Sequence, residues 1–226
     1  MNKTVIIVAA GSGRRMQSQV PKQFILLADK PVLMWTMEKF HSYDPTIQII
    51  LVLPEKQIKI WTGLCKSYHF MIKHEIIKGG QARFHSVFNG LQKAKKGSLI
   101  AVHDGVRPAV SLQTIKHTFL LASQKGNAIP AIIPADSIRI ENGDQTQILD
   151  RKKIRIIQTP QVFQYEQLIR SYNQPYHETF TDDSSVVEFA GFQIHLTEGN
   201  PENIKITTPM DLKIAEIHIL NEKKIP

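Results

Sequence analysis

Thr4-Val5-Ile6-Ile7-Val8-Ala9-Ala10 runs without a polar break into Gly11-Ser12-Gly13, and Arg14, Arg15 and Pro21-Lys22 follow. The unbroken apolar run reads as a strand buried on both faces, the signature of a parallel sheet covered by helices. The glycines admit φ > 0 and let another group approach the backbone. Free N–H groups in such a turn form an anion-binding nest. Three cations within about a dozen residues then point to a polyphosphate. The turn lacks the Gly-Lys-Ser/Thr of a P-loop. It also lacks the third glycine of a dinucleotide fingerprint, because Met16 stands there. A plain strand-to-helix turn with solvated arginines is the alternative reading.

Outward from this strand, apolar runs alternate with helical patterns. Helices are expected at 31–42, 55–67, 82–95 and 111–123, and strands at 47–53, 75–77, 98–102 and 127–133. This alternation argues an α/β fold, Rossmann-like, with a mostly parallel twisted sheet and helices on both faces. Ligands in such sheets bind at the carboxyl ends of the strands, where the glycine turn, Gly79-Gly80 and Asp104 all fall. The alternation breaks at residues 136–157. Asn142-Gly143 sits between two alternating runs there, the strongest short hairpin signal. A two-stranded arm is marginal alone, so the expectation is a protruding hairpin that packs on a second copy of the chain. A hairpin folded onto its own domain is the alternative. The remainder, 1–226, reads as a single domain ending soon after a last helix near Leu220.

Composition narrows the partners. The chain has 226 residues, 42% of them hydrophobic, with a net charge of +8 and a pI of about 9.5. A basic balance suits phosphorylated small molecules, nucleic acid or anionic membranes. Its lysines and arginines are scattered, without the aromatic–basic interleaving of a nucleic-acid surface. No apolar stretch reaches membrane-spanning length, and the N-terminus enters a strand without a signal-peptide pattern. One cysteine, Cys65, excludes an intrachain disulfide and a cysteine zinc cluster. The expectation is a cytoplasmic protein that binds neither membrane nor nucleic acid.

Several other segments carry chemistry. Asp104, in His103-Asp104-Gly105-Val106-Arg107-Pro108, follows a buried strand and reads either as a Mg²⁺ ligand or as an Asp-Gly turn. Gly79-Gly80-Gln81-Ala82-Arg83 opens a helix, where backbone N–H groups can line a base pocket or meet phosphate; a loop and cap is the other reading. Thr181-Asp182-Asp183 reads as a helix start with acids at its N-terminus. Asn203-Ile204-Lys205-Ile206-Thr207 reads as a late strand with a lysine at its edge. His41, His69, His85, His117 and His195 lack metal-ligand spacing.

Taken in order, Ala9-Ala10-Gly11-Ser12-Gly13-Arg14-Arg15-Met16, Pro21-Lys22-Gln23, Gly79-Gly80 with Arg83 and Ser86, Val102-His103-Asp104 with Arg107-Pro108, Gln158-Thr159-Pro160-Gln161, Thr181-Asp182 and Asn203–Thr207 resemble the 2-C-methyl-D-erythritol 4-phosphate cytidylyltransferase family of the non-mevalonate isoprenoid pathway. The resemblance runs nearly end to end. It implies a nucleotidyltransferase that joins CTP to a polyol phosphate with Mg²⁺ and releases pyrophosphate. By motif, Arg15, Lys22, Arg151 and Lys205 would be catalytic. Arg15 and Lys22 would stabilise the transition state, and Arg151 and Lys205 would grip the polyol phosphate. Ala9, Ala10, Gly11, Ser12, Gly13 and Arg14, with Gly79, Gly80, Arg83 and Ser86, would hold CTP. Asp104, Gly105 and Arg107 would line the metal and ribose side. Ser137, Thr159 and Thr181 would line the substrate site, and Asp104 would be the metal ligand. The resemblance also implies a homodimer whose arm carries Arg151 and Ser137 to the neighbouring site. Two departures stand out: alanine is usual in the family where Gly105 and Val106 stand, and threonine where Ser137 stands. A ribitol 5-phosphate cytidylyltransferase and a non-catalytic nucleotide-binding module remain the competing readings.

Overall fold

The computed structural model describes residues 1–11 and 20–222. The strand read first is β1 (Lys3–Val8), and it occupies the middle of an eight-stranded sheet. It pairs in parallel with β4 (Gln48–Leu53) on one side and β6 (Leu99–Asp104) on the other. Two short strands, β2 (Leu26–Leu27) and β3 (Lys30–Pro31), form a separate antiparallel pair between β1 and β4 in sequence. Outside β4 lies β5 (Glu75–Lys78), also parallel.

The unbroken apolar run is explained by two-sided burial. Val5 and Ile7 of β1 pack with Ile49 and Leu51 of β4 into one core layer. Two helices cover that layer, α1 (Val32–Tyr43), through Met34, Met37 and Phe40, and α2 (Glu55–Ser67), through Trp61. Ile6 points the other way, with Ile50 and Val52, against Phe84, Val87 and Leu91 of α3 (Arg83–Leu91). Strand side chains alternate faces with a period of two, and both faces are covered, so Val5, Ile6, Ile7 and Val8 are apolar in succession. Val5, Ile6 and Ile7 have no exposed surface, and each contributes about 1.5–3 kcal/mol by burial.

Beyond β6 the sheet becomes mixed. After α4 (Leu112–Lys125) comes β7 (Asn127–Ile132). Between β6 and β7 lies β11 (Gln161–Gln164), antiparallel to both. Just before β11, β10 (Ile156–Ile157) pairs with the far end of β7, and β12 (Leu196–Glu198) pairs with β7 in parallel. Two helices, α5 (Tyr165–Tyr172) and α6 (Asp183–Phe189), cover the α3 side. The chain then runs into α7 (Pro209–Glu222). Ala215 and Ile219 of α7 pack with Leu27, Trp35, Val106 and Ile206 in a third cluster. No helix among the described residues is long and apolar enough to cross a membrane.

The arm expected at 136–157 is a hairpin of β8 (Ile138–Asn142) and β9 (Gln145–Leu149), paired only with each other. Its turn sits one residue later than the Asn-Gly signal suggests. Asn142 pairs with Gln145, leaving Gly143-Asp144 as the loop, with Gly143 at φ +60°. Two further expectations are corrected. The helix predicted over 82–95 ends at Leu91, where the chain breaks into turns. The segment 203–207 is not a strand: it joins no ladder, and its backbone bonds are single ties, such as Ile206 N–H to the Val106 carbonyl at 2.9 Å.

Candidate active site

The carboxyl ends of β1 and β6 open onto a cavity of about 510 Å³. They do so where the chain order reverses between β1 and β6, the expected binding crevice of such sheets. Three backbone ties hold the loops there: Ala9 N–H to Val52 O at 3.0 Å, Gly79 N–H to Leu53 O at 2.8 Å, and Gly105 N–H to Val8 O at 2.9 Å. Ala9, Ala10 and Gly11 line the cavity on one side, and Gly80, Arg83 and Ser86 on the other. Gly80 N–H donates to Ser86 Oγ at 3.1 Å, and Ser86 Oγ donates to Ala82 O at 3.1 Å, which fixes the turn into α3. A Cβ on Gly79 would stand 2.8 Å from Ala10 Cβ and 3.2 Å from Ser86 Oγ, so the backbones approach closely here.

Asp104 is the electrostatic centre. Arg107 Nε lies 3.2 Å from Asp104 Oδ2, Lys205 Nζ 3.0 Å from the same oxygen, and Arg83 Nε 3.7 Å from Oδ1. Burial raises the pKa of this carboxyl, but Arg83, Lys205 and Arg107 outweigh burial and hold it well below the usual carboxylate range. Asp104, Lys205 and Lys22 all line the cavity. Lys22 donates from Nζ to the Ile206 carbonyl at 3.1 Å, and Arg107 donates to the Asn203 carbonyl at 2.6 Å. Two cations of the site thus tie down the stretch that carries the third, Lys205.

Behind Asp104 lies a buried polar chain. Asp104 N–H donates to Thr159 Oγ1 at 3.2 Å, and Thr159 Oγ1 is 2.9 Å from His103 Nδ1. His103 Nε2 is 3.2 Å from the Arg107 carbonyl. The carbonyl can only accept, so Nε2 carries the proton and Nδ1 accepts from the threonine hydroxyl. The imidazole is therefore neutral, consistent with burial pushing its pKa down to about 3. Thr159 is 5% exposed and supports Asp104 from behind rather than facing the cavity.

The other motif residues fall elsewhere. Gly105 and Arg107 lie behind the Asp104 wall without lining the cavity, and Thr181 precedes the Asp182 cap of α6. Ser137 and Arg151 stand at the two ends of the hairpin, away from the cavity, and Arg151 donates to the Ala135 carbonyl. Ser12, Gly13, Arg14 and Arg15 lie outside the described residues. Gln23, which carries no role by motif, also lines the cavity and donates from Nε2 to the Ala9 carbonyl at 2.8 Å. Its place directly after Pro21-Lys22 was the available signal. Asp183 likewise carries no role by motif, and its carboxylate takes Arg83 at 2.6 Å.

The model of the 2-C-methyl-D-erythritol 4-phosphate cytidylyltransferase family matches residues 3–222. The chain belongs to this family. A cytidylyltransferase of this name from Bacteroides thetaiotaomicron is 48% identical over 215 residues, covering 95% of this chain and 98% of the relative. One from Phocaeicola vulgatus is 48% identical over 219 residues, covering 97% of this chain and 100% of the relative. The crystal structure of 4-diphosphocytidyl-2C-methyl-D-erythritol synthase from Anaerococcus prevotii superposes with a TM-score of 0.82 at 26% identity, covering 97% of this chain and 98% of that one. The cytidylyltransferase fold therefore extends over the whole described sheet, and the cavity lies within it.

Proposed function

We propose that this cytidylyltransferase moves CMP from CTP onto 2-C-methyl-D-erythritol 4-phosphate in the strand-end cavity, giving 4-diphosphocytidyl-2-C-methyl-D-erythritol and pyrophosphate. The observation that carries the reading is the carboxylate of Asp104 on the cavity wall, with Arg83 and Lys205 beside it on that wall and Arg107 paired to it from behind. A phosphate oxygen of the polyol substrate attacks the α-phosphorus of CTP in line. The new P–O bond forms as the bond to the β-phosphate bridging oxygen breaks, and pyrophosphate leaves with that electron pair. Negative charge rises on the pentacoordinate phosphorus, so cations placed beforehand lower the barrier.

In this reading Arg15 and Lys22 stabilise that charge, and Lys205 and Arg151 aim the attacking phosphate. Ala9 to Arg14, with Gly79, Gly80, Arg83 and Ser86, hold CTP. Gly105 and Arg107 flank the ribose, and Ser137, Thr159 and Thr181 help shape the second substrate's place. The donor set at Asp104 fits Mg²⁺: one ionised carboxylate on the wall of a cavity suits an ion that binds through one or two carboxylates, substrate phosphates and water. When bound there, the ion would supply charge neutralisation on the triphosphate.

The chain is read as one nucleotidyltransferase domain with residues 136–157 as a dimer arm. Supporting this, the hairpin pairs only with itself and exposes Ile140 and Ile148. In the homodimer Arg151 and Ser137 serve the neighbouring subunit's cavity.

Pyrophosphate release from CTP tests the reaction. Turnover is expected with 2-C-methyl-D-erythritol 4-phosphate. Turnover with ribitol 5-phosphate alone overturns the choice of substrate, and CTP binding without turnover on either overturns the enzyme reading. Mixing Arg151→Ala subunits with Lys22→Ala subunits should restore part of the activity if the sites are shared, and no recovery refutes the shared site.

A further inference from the structure

Arg83 meets the nucleotide cavity from the first position of α3, and a buried carboxylate grips it from behind. Its guanidinium donates to Asp183 Oδ2 at 2.6 Å, while Tyr172 Oη donates to Asp183 Oδ1 at 2.6 Å. Asp183 has no exposed surface and Tyr172 is 2% exposed. Both carboxylate oxygens are therefore taken, one by the phenol and one by the arginine.

The helix cap does not account for Asp183. The residue before it, Asp182, caps α6, accepting from Ser185 N–H at 2.8 Å in a reciprocal capping box. A fully buried carboxylate costs free energy unless it is paired, and an apolar side chain would serve packing alone as well. Its neighbours supply what a fixed orientation needs. Phe84, adjacent to Arg83 on α3, stacks on the Tyr172 ring at 4.6 Å between centroids and 22° between planes. Burial and the neighbouring Asp183 raise the Tyr172 pKa, so the phenol stays neutral and donates. Arg83 has five N–H donors in a rigid fork. One edge is held by Asp183 and the Nε edge turns toward Asp104 at 3.7 Å, while the side chain keeps 26% exposure on the cavity wall.

We propose that Tyr172 and Asp183 are positioning residues that orient the Arg83 guanidinium for the nucleotide. The inference rests on the reading of the cavity as the CTP site. It assigns to α5 and α6, which do not line the cavity, a part in CTP recognition carried through one arginine.

Steady-state kinetics on the full chain tests it, at a temperature where each variant is folded by circular dichroism. Tyr172→Phe and Asp183→Asn should each raise the KM for CTP about fivefold, the loss expected for one hydrogen bond, with kcat changed less than twofold. The KM for the polyol phosphate should stay put. In an Arg83→Ala background, Tyr172→Phe should add nothing. A Tyr172→Phe effect of equal size in that background overturns the proposal, because the phenol then acts on the fold and not through the arginine. If Arg83→Ala raises the CTP KM while Tyr172→Phe leaves it unchanged, the positioning role falls and the cavity reading stands. If Arg83→Ala itself leaves the CTP KM unchanged, the cavity reading falls. Tyr172→Phe removes one atom and decides the matter should Asp183→Asn fail to fold.

Discussion

Acid should destabilise this protein through the imidazole behind Asp104. His103 has no exposed surface, and burial pushes its pKa from an ordinary 6.5 down to about 3. A base whose folded pKa is lowered takes up its proton in the unfolded chain first. Between about pH 6.5 and pH 3 the unfolded state therefore binds more protons, so stability falls as pH falls through that window. From pH 7 to pH 5 the loss is about 2 kcal/mol for this one group. Protonation would also cost the Thr159 hydroxyl its acceptor at His103 Nδ1. Urea unfolding at pH 7 and pH 5, followed through the buried Trp35 and Trp61, measures the loss. His103→Asn keeps an acceptor near the place of Nδ1 and cannot titrate, so its loss should be smaller by about 2 kcal/mol. His74, whose pKa is also lowered by burial, is present in both proteins and cancels. Equal losses in the two proteins would refute the buried neutral imidazole.

Substitutions at two positions examine the same wall. Thr159→Val leaves the Asp104 N–H and His103 Nδ1 unpaired, and should cost about 2–4 kcal/mol in chemical denaturation. Thr159→Ser keeps both bonds and should cost about 1 kcal/mol for the lost methyl; the same loss in both variants would remove the hydroxyl from the account. Gly105→Ala would place a Cβ 2.9 Å from Ala9 Cβ and 3.1 Å from Leu33 Cδ1. The expected cost is about 1–3 kcal/mol, and an unchanged melting temperature would show that Ala9 and Leu33 can draw back.

The sequence made the two-faced strands legible because their signal is local. The central residues of β1, β4 and β6 are buried whichever way they point, so the apolar runs are continuous. β11 and α5 escaped notice because Gln161–Gln164 is short, bounded by Pro160, and held by strands that are distant in sequence. The 203–207 segment misled for the opposite reason. Ile204, Lys205 and Ile206 imitate a strand locally, but the partners of this stretch are single groups, the Val106 carbonyl and the side chains of Lys22 and Arg107. The acids of Thr181-Asp182-Asp183 show the limit most clearly. Either aspartate could cap a helix by its position, and only tertiary packing decides that Asp182 caps while Asp183 reaches across to Arg83.

The arrangement around Asp104 also explains how cations can be concentrated before any substrate arrives. Arg83, Arg107 and Lys205 gather around one carboxylate, where like charges repel at low dielectric. Asp104 offsets that repulsion, and Asp183 does the same for Arg83 from the far side. Each cation is therefore already drawn partly from water and held in direction before a substrate enters. In the proposed reaction Lys205 would then change partners, from carboxylate to the polyol phosphate, rather than shed a full hydration shell. A lysine free in solvent would have to shed that shell and be ordered as well, so the carboxylate that competes with the substrate for Lys205 also prepares it.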